Sequence, residues 1–331
     1  MSSDLPTTAP PTIQEITMFR ASTTLNHASP ARAVSRGMRT LLYALTALTF
    51  IAGTQLVILG EHAATFFAWA IDPLSAAFIG AGFWSASTVV FWCARQRDWA
   101  RARVIVPTVG VVASMLLVAT LQHLELFQGL IGLAWIEIYA FFPPILAAIT
   151  VQQLAAPGHV MRGADRLPAP LRVTLAAEAA IALAAGALLF VSPSVAASIW
   201  PWELGDLASK AIGTWLAGTG ITCGLIAALD DRSALPGWAL AQIVLGGTVL
   251  LGLARYAGDI DLAGPGAYLL AAYMLATLAS GTYGAVLARH EGRFTPTTGL
   301  GGIPVELRAP AAGPAPAHLP VPAREQSSER P

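Results

Sequence analysis

Lysine is almost missing from this chain: Lys210 stands alone beside 18 arginines. Charge of either sign is scarce at 11% of residues, less than half the roughly 25% of a soluble domain. With a net charge of zero, the basic footprint of a nucleic-acid binder is excluded. Cysteine is limited to Cys93 and Cys223, which share no CxxC spacing and lie toward the inner ends of their apolar stretches. That excludes a disulfide scaffold and predicts two buried thiols. Soluble-enzyme signatures are missing as well: there is no GxGxxG after a strand, no P-loop, no HExxH and no GxSxG. Ten-residue segments of alternating polarity, the mark of a membrane β-barrel, do not occur.

What remains is apolar. Hydrophobic residues make up 55% of the chain and the mean hydropathy is +0.61. Eight stretches reach the roughly 20 apolar residues that a helix needs to cross a hydrocarbon core. They are 38–60, 73–94, 104–122, 130–151, 172–192, 207–229, 237–256 and 266–288. Backbone groups in lipid must bond within their own segment, so each stretch predicts a helix. The fold class is therefore all-α, a polytopic integral membrane protein with the lipid bilayer as its first partner. The first span lies too deep in the chain, and is too long, for a cleaved signal peptide, and reads as a signal anchor.

Arginines mark alternate loops. Arg20, Arg32, Arg36 and Arg39 precede the first span, Arg95, Arg97, Arg101 and Arg103 follow the second, and Arg162, Arg166 and Arg172 follow the fourth. Arg232 follows the sixth, and Arg289 and Arg293 the eighth. Positive residues stay on the cytoplasmic side, so both termini are expected inside, in a plasma (inner) membrane.

The chain also repeats. Residues 40–152 align without a gap on 173–285 at an offset of 133, setting Trp69 on Trp202, Leu74 on Leu207 and Ile79-Gly80 on Ile212-Gly213. This predicts two tandem, parallel four-helix halves, 38–152 and 172–289, joined by a linker at 153–171. The tails 1–37 and 290–331, rich in Thr, Ser, Pro and Ala, cannot bury a core and are expected to be disordered.

Polar residues inside the spans carry the functional expectation, since a charge at a helix centre costs roughly 2.5–3.5 kcal/mol on insertion scales. Glu137 falls ~10 Å below the outer face and Glu178 ~9 Å above the inner face at 1.5 Å per residue. Glu137 is expected to face the bundle interior beside a polar cavity, near Tyr139, Gln55 or Lys210. Pro143-Pro144 are expected to break span 4 near mid-membrane. Lys210 follows Asp206 by one turn, so a snorkelling pair is expected, with a substrate contact as the alternative.

At the outer face, Glu61, His62, His123 and Glu125 form a second candidate cluster. Imidazoles from two helices suit a metal or haem, yet no third ligand has diagnostic spacing, so no metal is assigned and the cofactor stays open. The loops around Phe66-Phe67-x-Trp69 and Trp200-x-Trp202 read as short interfacial helices, with a lid over an entrance as the alternative. Gly220 and Gly224 form a small-xxx-small pair for close packing, with Gly246, Gly247 and Gly252 as partners.

Three functions stay open. Duplication, a broken span and intramembrane acids favour a small-molecule or ion transporter. A membrane enzyme acting on a lipid or isoprenoid is second, and a non-catalytic subunit third. A homo-oligomer or a larger membrane complex fits any of them.

Overall fold

The computed structural model describes residues 31–158 and 166–290. The tails over 1–30 and 291–331, with Arg162 and Arg293, lie outside the described residues. Eight long helices follow one another: α1 (Arg36–Ile58), α2 (Pro73–Ala94), α3 (Ile105–Leu121), α4 (Gly129–Ala155), α5 (Ala169–Val191), α6 (Asp206–Leu229), α7 (Leu235–Arg255) and α8 (Gly266–His290). Eight spans are long and apolar enough to cross a membrane, the third counted from Trp99 and the seventh from Arg232, which makes this a multi-pass integral membrane protein. Their ends fall within a few residues of the expected spans.

Local chemistry fixes several boundaries. Ser35 caps α1 by accepting from the Met38 amide, and Asp72 caps α2 by accepting from Ser75, with Pro73 at the first helical position. Asp230 ends α6 in the left-handed conformation at φ 48° and accepts from the Leu167 amide. The linker expected over 153–171 is shorter, because α4 runs to Ala155 and α5 begins at Ala169. Inside α4, Pro143 and Pro144 do not break the helix. Each removes one amide donor, leaving the carbonyls of Tyr139 and Ala140 without their usual partners, while the flanking bonds carry the helix through.

Consecutive helices pair as hairpins, α1 with α2, α3 with α4, α5 with α6 and α7 with α8. The hairpins are then crossed: α2 packs on α7, α6 packs on α3, and α2 meets α6 at the centre. Glycines permit the closest approaches. A Cβ on Gly53 would lie 3.0 Å from the Gly80 carbonyl oxygen, and one on Gly186 2.7 Å from that of Gly213. Gly82 takes the flat side of Trp215 at the α2–α6 crossing, where a Cβ would sit 2.5 Å from the ring. Gly220 packs against α5 at Ala179 and Leu183, and Gly246 against α8 at Met274 and Leu278. The expected meeting of these two glycines is thus corrected, since each serves its own hairpin.

One end of the bundle carries Trp69, the other Arg103. At the Arg103 end, Arg103 pairs with the buried Asp231 at 3.2 Å, and Arg172 with Asp230 at 3.4 Å. The segment just before α1 also docks there. The Val34 amide donates to the Arg97 carbonyl and the Trp99 amide to the Arg32 carbonyl. Gln153 clamps the strap, accepting from the Ser35 amide at 2.7 Å and donating to the Ala33 carbonyl at 2.8 Å. Residues 32–35, assigned from sequence to a disordered tail, are therefore part of the fold.

Candidate functional site

A cavity of about 320 Å³ opens between the two sets of hairpins. Its walls come from α1, α2, α3 and α4 on one side and from α6 and α7 on the other. The contact between α1 and α4 is light, and the cavity reaches the bundle surface there, at the exposed residues Leu48, Ile51, Ile131 and Ile138. Its mouth thus faces the lipid side of the helices rather than either end.

The Trp69 end of the cavity is closed by aromatic packing. Short helical turns at Gly60–His62 and Ala63–Phe66 bring Phe66 and Phe67 into the wall. Trp69 is buried, with Phe67, Trp135 and Phe127 at 4.5, 5.1 and 5.5 Å between ring centroids. The Trp135 indole donates to Thr120 and stacks obliquely on Tyr139 at 4.6 Å. Trp202 is buried too and donates to the Ser75 hydroxyl at 3.0 Å. The expected short helices form, at Ala63–Phe66 and Pro193–Ala197, but both tryptophans turn inward, because burial of a large ring outweighs its preference for the headgroup layer.

Polar groups on the cavity wall are few. Thr222 donates to Thr108 at 3.3 Å. Thr49, Thr219 and Thr222 also bond carbonyls of their own helices, which hides their hydroxyls. Gln55 stands at the rim and Gln242 at the deep wall.

The expected site residues do not converge. Glu137 lies on the exposed face of α4, away from the cavity, and no described residue pairs with it. The expectation of an inward carboxylate is corrected. Trp135, Tyr139 and Phe142 claim the inner face of α4, and a residue two positions from Trp135 points about 200° round the helix. Lys210 donates to the Gln122 amide oxygen instead of pairing with Asp206. Glu61 pairs with Arg255 at 2.9 Å. His62 and Glu125 are exposed, His123 bonds the Ala119 carbonyl through Nδ1 at 3.0 Å, and neither histidine lines the cavity. Among the described residues, no group of three or more His, Cys, Asp or Glu side chains is placed to hold a metal ion.

Glu178 is the exception. It is 3% exposed in α5, beside Cys223 of α6, Gln242 of α7 and Ser280 of α8. Cys93 and Cys223 are both free and buried. Gln242, Trp238, Ser280 and Tyr273 were not singled out from sequence. A glutamine within an apolar span was the available signal for the first, and nothing distinguished the others from core residues. Comparison with known protein families, with curated proteins and with solved structures gives no match.

Proposed function

We propose that this protein binds a lipophilic or amphipathic small molecule taken laterally from the bilayer, as a transporter-type carrier. The observation that carries this reading is the cavity mouth between α1 and α4, edged by exposed apolar side chains. Its volume of about 320 Å³ lies at the lower end of ordinary small-ligand sites, roughly 300–1,000 Å³. Apolar walls with Gln55 and the Thr108–Thr222 pair suit a mainly hydrocarbon ligand bearing one polar group. A charged or strongly hydrated solute would lose more hydration there than the wall returns. A lateral mouth alone also suits lipid chemistry, but neither His62 nor His123 lines the cavity to serve it.

The same proposal takes the protein as two tandem parallel repeats with both termini in the cytoplasm of a plasma-membrane protein. Helix starts recur at the 133-residue offset: Arg36 and Ala169, Pro73 and Asp206. The one-turn helices Gly60–His62 and Leu124–Leu126 have counterparts beginning at Pro193 and Ala257. Gly82 and Trp215, which touch at the α2–α6 crossing, are each other's equivalents, as expected beside a pseudo-two-fold axis along the membrane normal.

Ala86→Phe tests the cavity by filling its wall. Native mass spectrometry of protein extracted with membrane lipid is expected to find one lipophilic molecule per chain. Overpacking costs ~1–3 kcal/mol, so the variant should bind about tenfold more weakly or worse while remaining folded. Wild-type protein free of any such molecule, or a variant that retains it undiminished, would sink the reading.

A further inference from the structure

Buried carboxylates need a counter-charge, a set of donors or a proton. Glu178 has none of the first. The groups around it come from three helices: Cys223 on α6 and Gln242 on α7, with Trp238 bonded to Cys223, and Ser280 and Tyr273 on α8, with Thr277 beside Tyr273. Cys223 and Tyr273 are the titratable ones, and none of the seven residues carries a positive charge. The Cys223 thiol reaches Glu178 Oε2 at 3.8 Å. Glu178 Oε1 is buried without a donor in hydrogen-bonding geometry, while Ser280, Cys223 and Gln242 neighbour the carboxyl and Thr277 neighbours the Tyr273 hydroxyl. Oxygens of α5 and α8 gathered around an uncompensated carboxyl suit one small positive centre bound by oxygen.

The position of the nest in the fold points the same way. At the 133-residue offset, Glu178, Cys223, Trp238 and Gln242 fall on Leu45, Val90, Ile105 and Val109. Those four residues line the deep end of the cavity. Equivalent positions are therefore apolar in the first half and mostly polar in the second. Packing alone explains the first set and leaves the acid in the second unexplained.

We propose that the Glu178 nest is a binding site for a single small cation, taken up as a proton or as a dehydrated sodium ion. Glu178 supplies the charge, and Tyr273, Thr277 and Ser280 supply neutral oxygens. Gln242 belongs to both the nest and the cavity wall, so charge entering the nest is felt at the wall. The site needs no ligand in the cavity and stands independently of the carrier reading.

The test is thermal unfolding of the full-length protein in detergent, without added ligand. One series replaces choline chloride by sodium chloride at fixed ionic strength, and another lowers the pH at fixed salt. A sodium site raises the midpoint by about 3 °C at roughly tenfold excess over its Kd. A proton site raises it as the pH falls and leaves it indifferent to sodium. Either response should vanish in Glu178→Gln, whose neutral amide keeps the shape and removes the need for a cation. Should that variant fail to fold, Thr277→Val and Ser280→Ala are expected to shift the half-maximal sodium concentration or pH. Wild-type protein indifferent to both series, a response unchanged in Glu178→Gln, or one untouched by both hydroxyl deletions would overturn the proposal.

Discussion

Trp69 and Trp202, which pair at the 133-residue offset, differ in whether the indole finds an acceptor. Trp202 donates to the Ser75 hydroxyl, whereas the buried Trp69 N–H has no acceptor. The residue at the Ser75 position for Trp69 is Ala208, which offers no oxygen. A buried donor left unpaired costs ~1–3 kcal/mol, and a hydrogen bond contributes ~1 kcal/mol. Ser75→Ala should therefore lower the unfolding midpoint, and Ala208→Ser should raise it by giving Trp69 its missing acceptor. The decisive measurement is thermal unfolding of both variants side by side. Equal destabilisation by the two would show that the tryptophans are not equivalently placed. At this scale the sequence was a poor guide. Glu137 drew attention because acids are costly in lipid, but its direction depends on which neighbours win the inner face of α4. A single turn of helix decides that, and composition does not record it. Glu178 was equally conspicuous and did prove buried.

Among the eight long helices, α4 is the least buried. Only 17% of its most apolar window is buried, against 72% for α2, and it forms one side of the cavity mouth. Its two prolines leave α4 short of two internal hydrogen bonds close to Tyr139 and Phe142, both wall residues. That combination suits a wall that yields when a ligand enters. Replacing Pro143 and Pro144 by alanine restores both donors at ~1 kcal/mol each. Hydrogen exchange over residues 139–148 should slow by about fivefold or more, with expression unchanged. Faster exchange, or loss of the protein, would mean that the prolines hold the helix rather than loosen it. Helix positions were legible in the sequence because lipid imposes length and apolarity on every span. Helix partners were not, since the crossing of α2 onto α7 and of α6 onto α3 is set by glycine contacts spread over distant residues. The continuity of α4 was hidden for a related reason: proline removes donors, but flanking bonds decide whether a helix ends.

At the level of the whole molecule, the proposed orientation rests on arginines concentrated in alternate loops, with Arg255 at the end of α7 as the exception. Reporter fusions after residues 62, 124, 198 and 260 should read outside, and those after 98 and 232 cytoplasmic. One reversed site among the first four spans would break the assignment. The strap just before α1 adds a constraint of a different kind. Ser35 and Gln153 are 118 residues apart, yet one hydrogen bond joins them. A ribosome moving at 5–20 residues per second needs roughly 6–24 s to travel from one to the other. Residues 33–35 must therefore wait, unlatched, until the fourth helix has been made, so the segment that precedes the first helix is fastened by the last turns of the fourth.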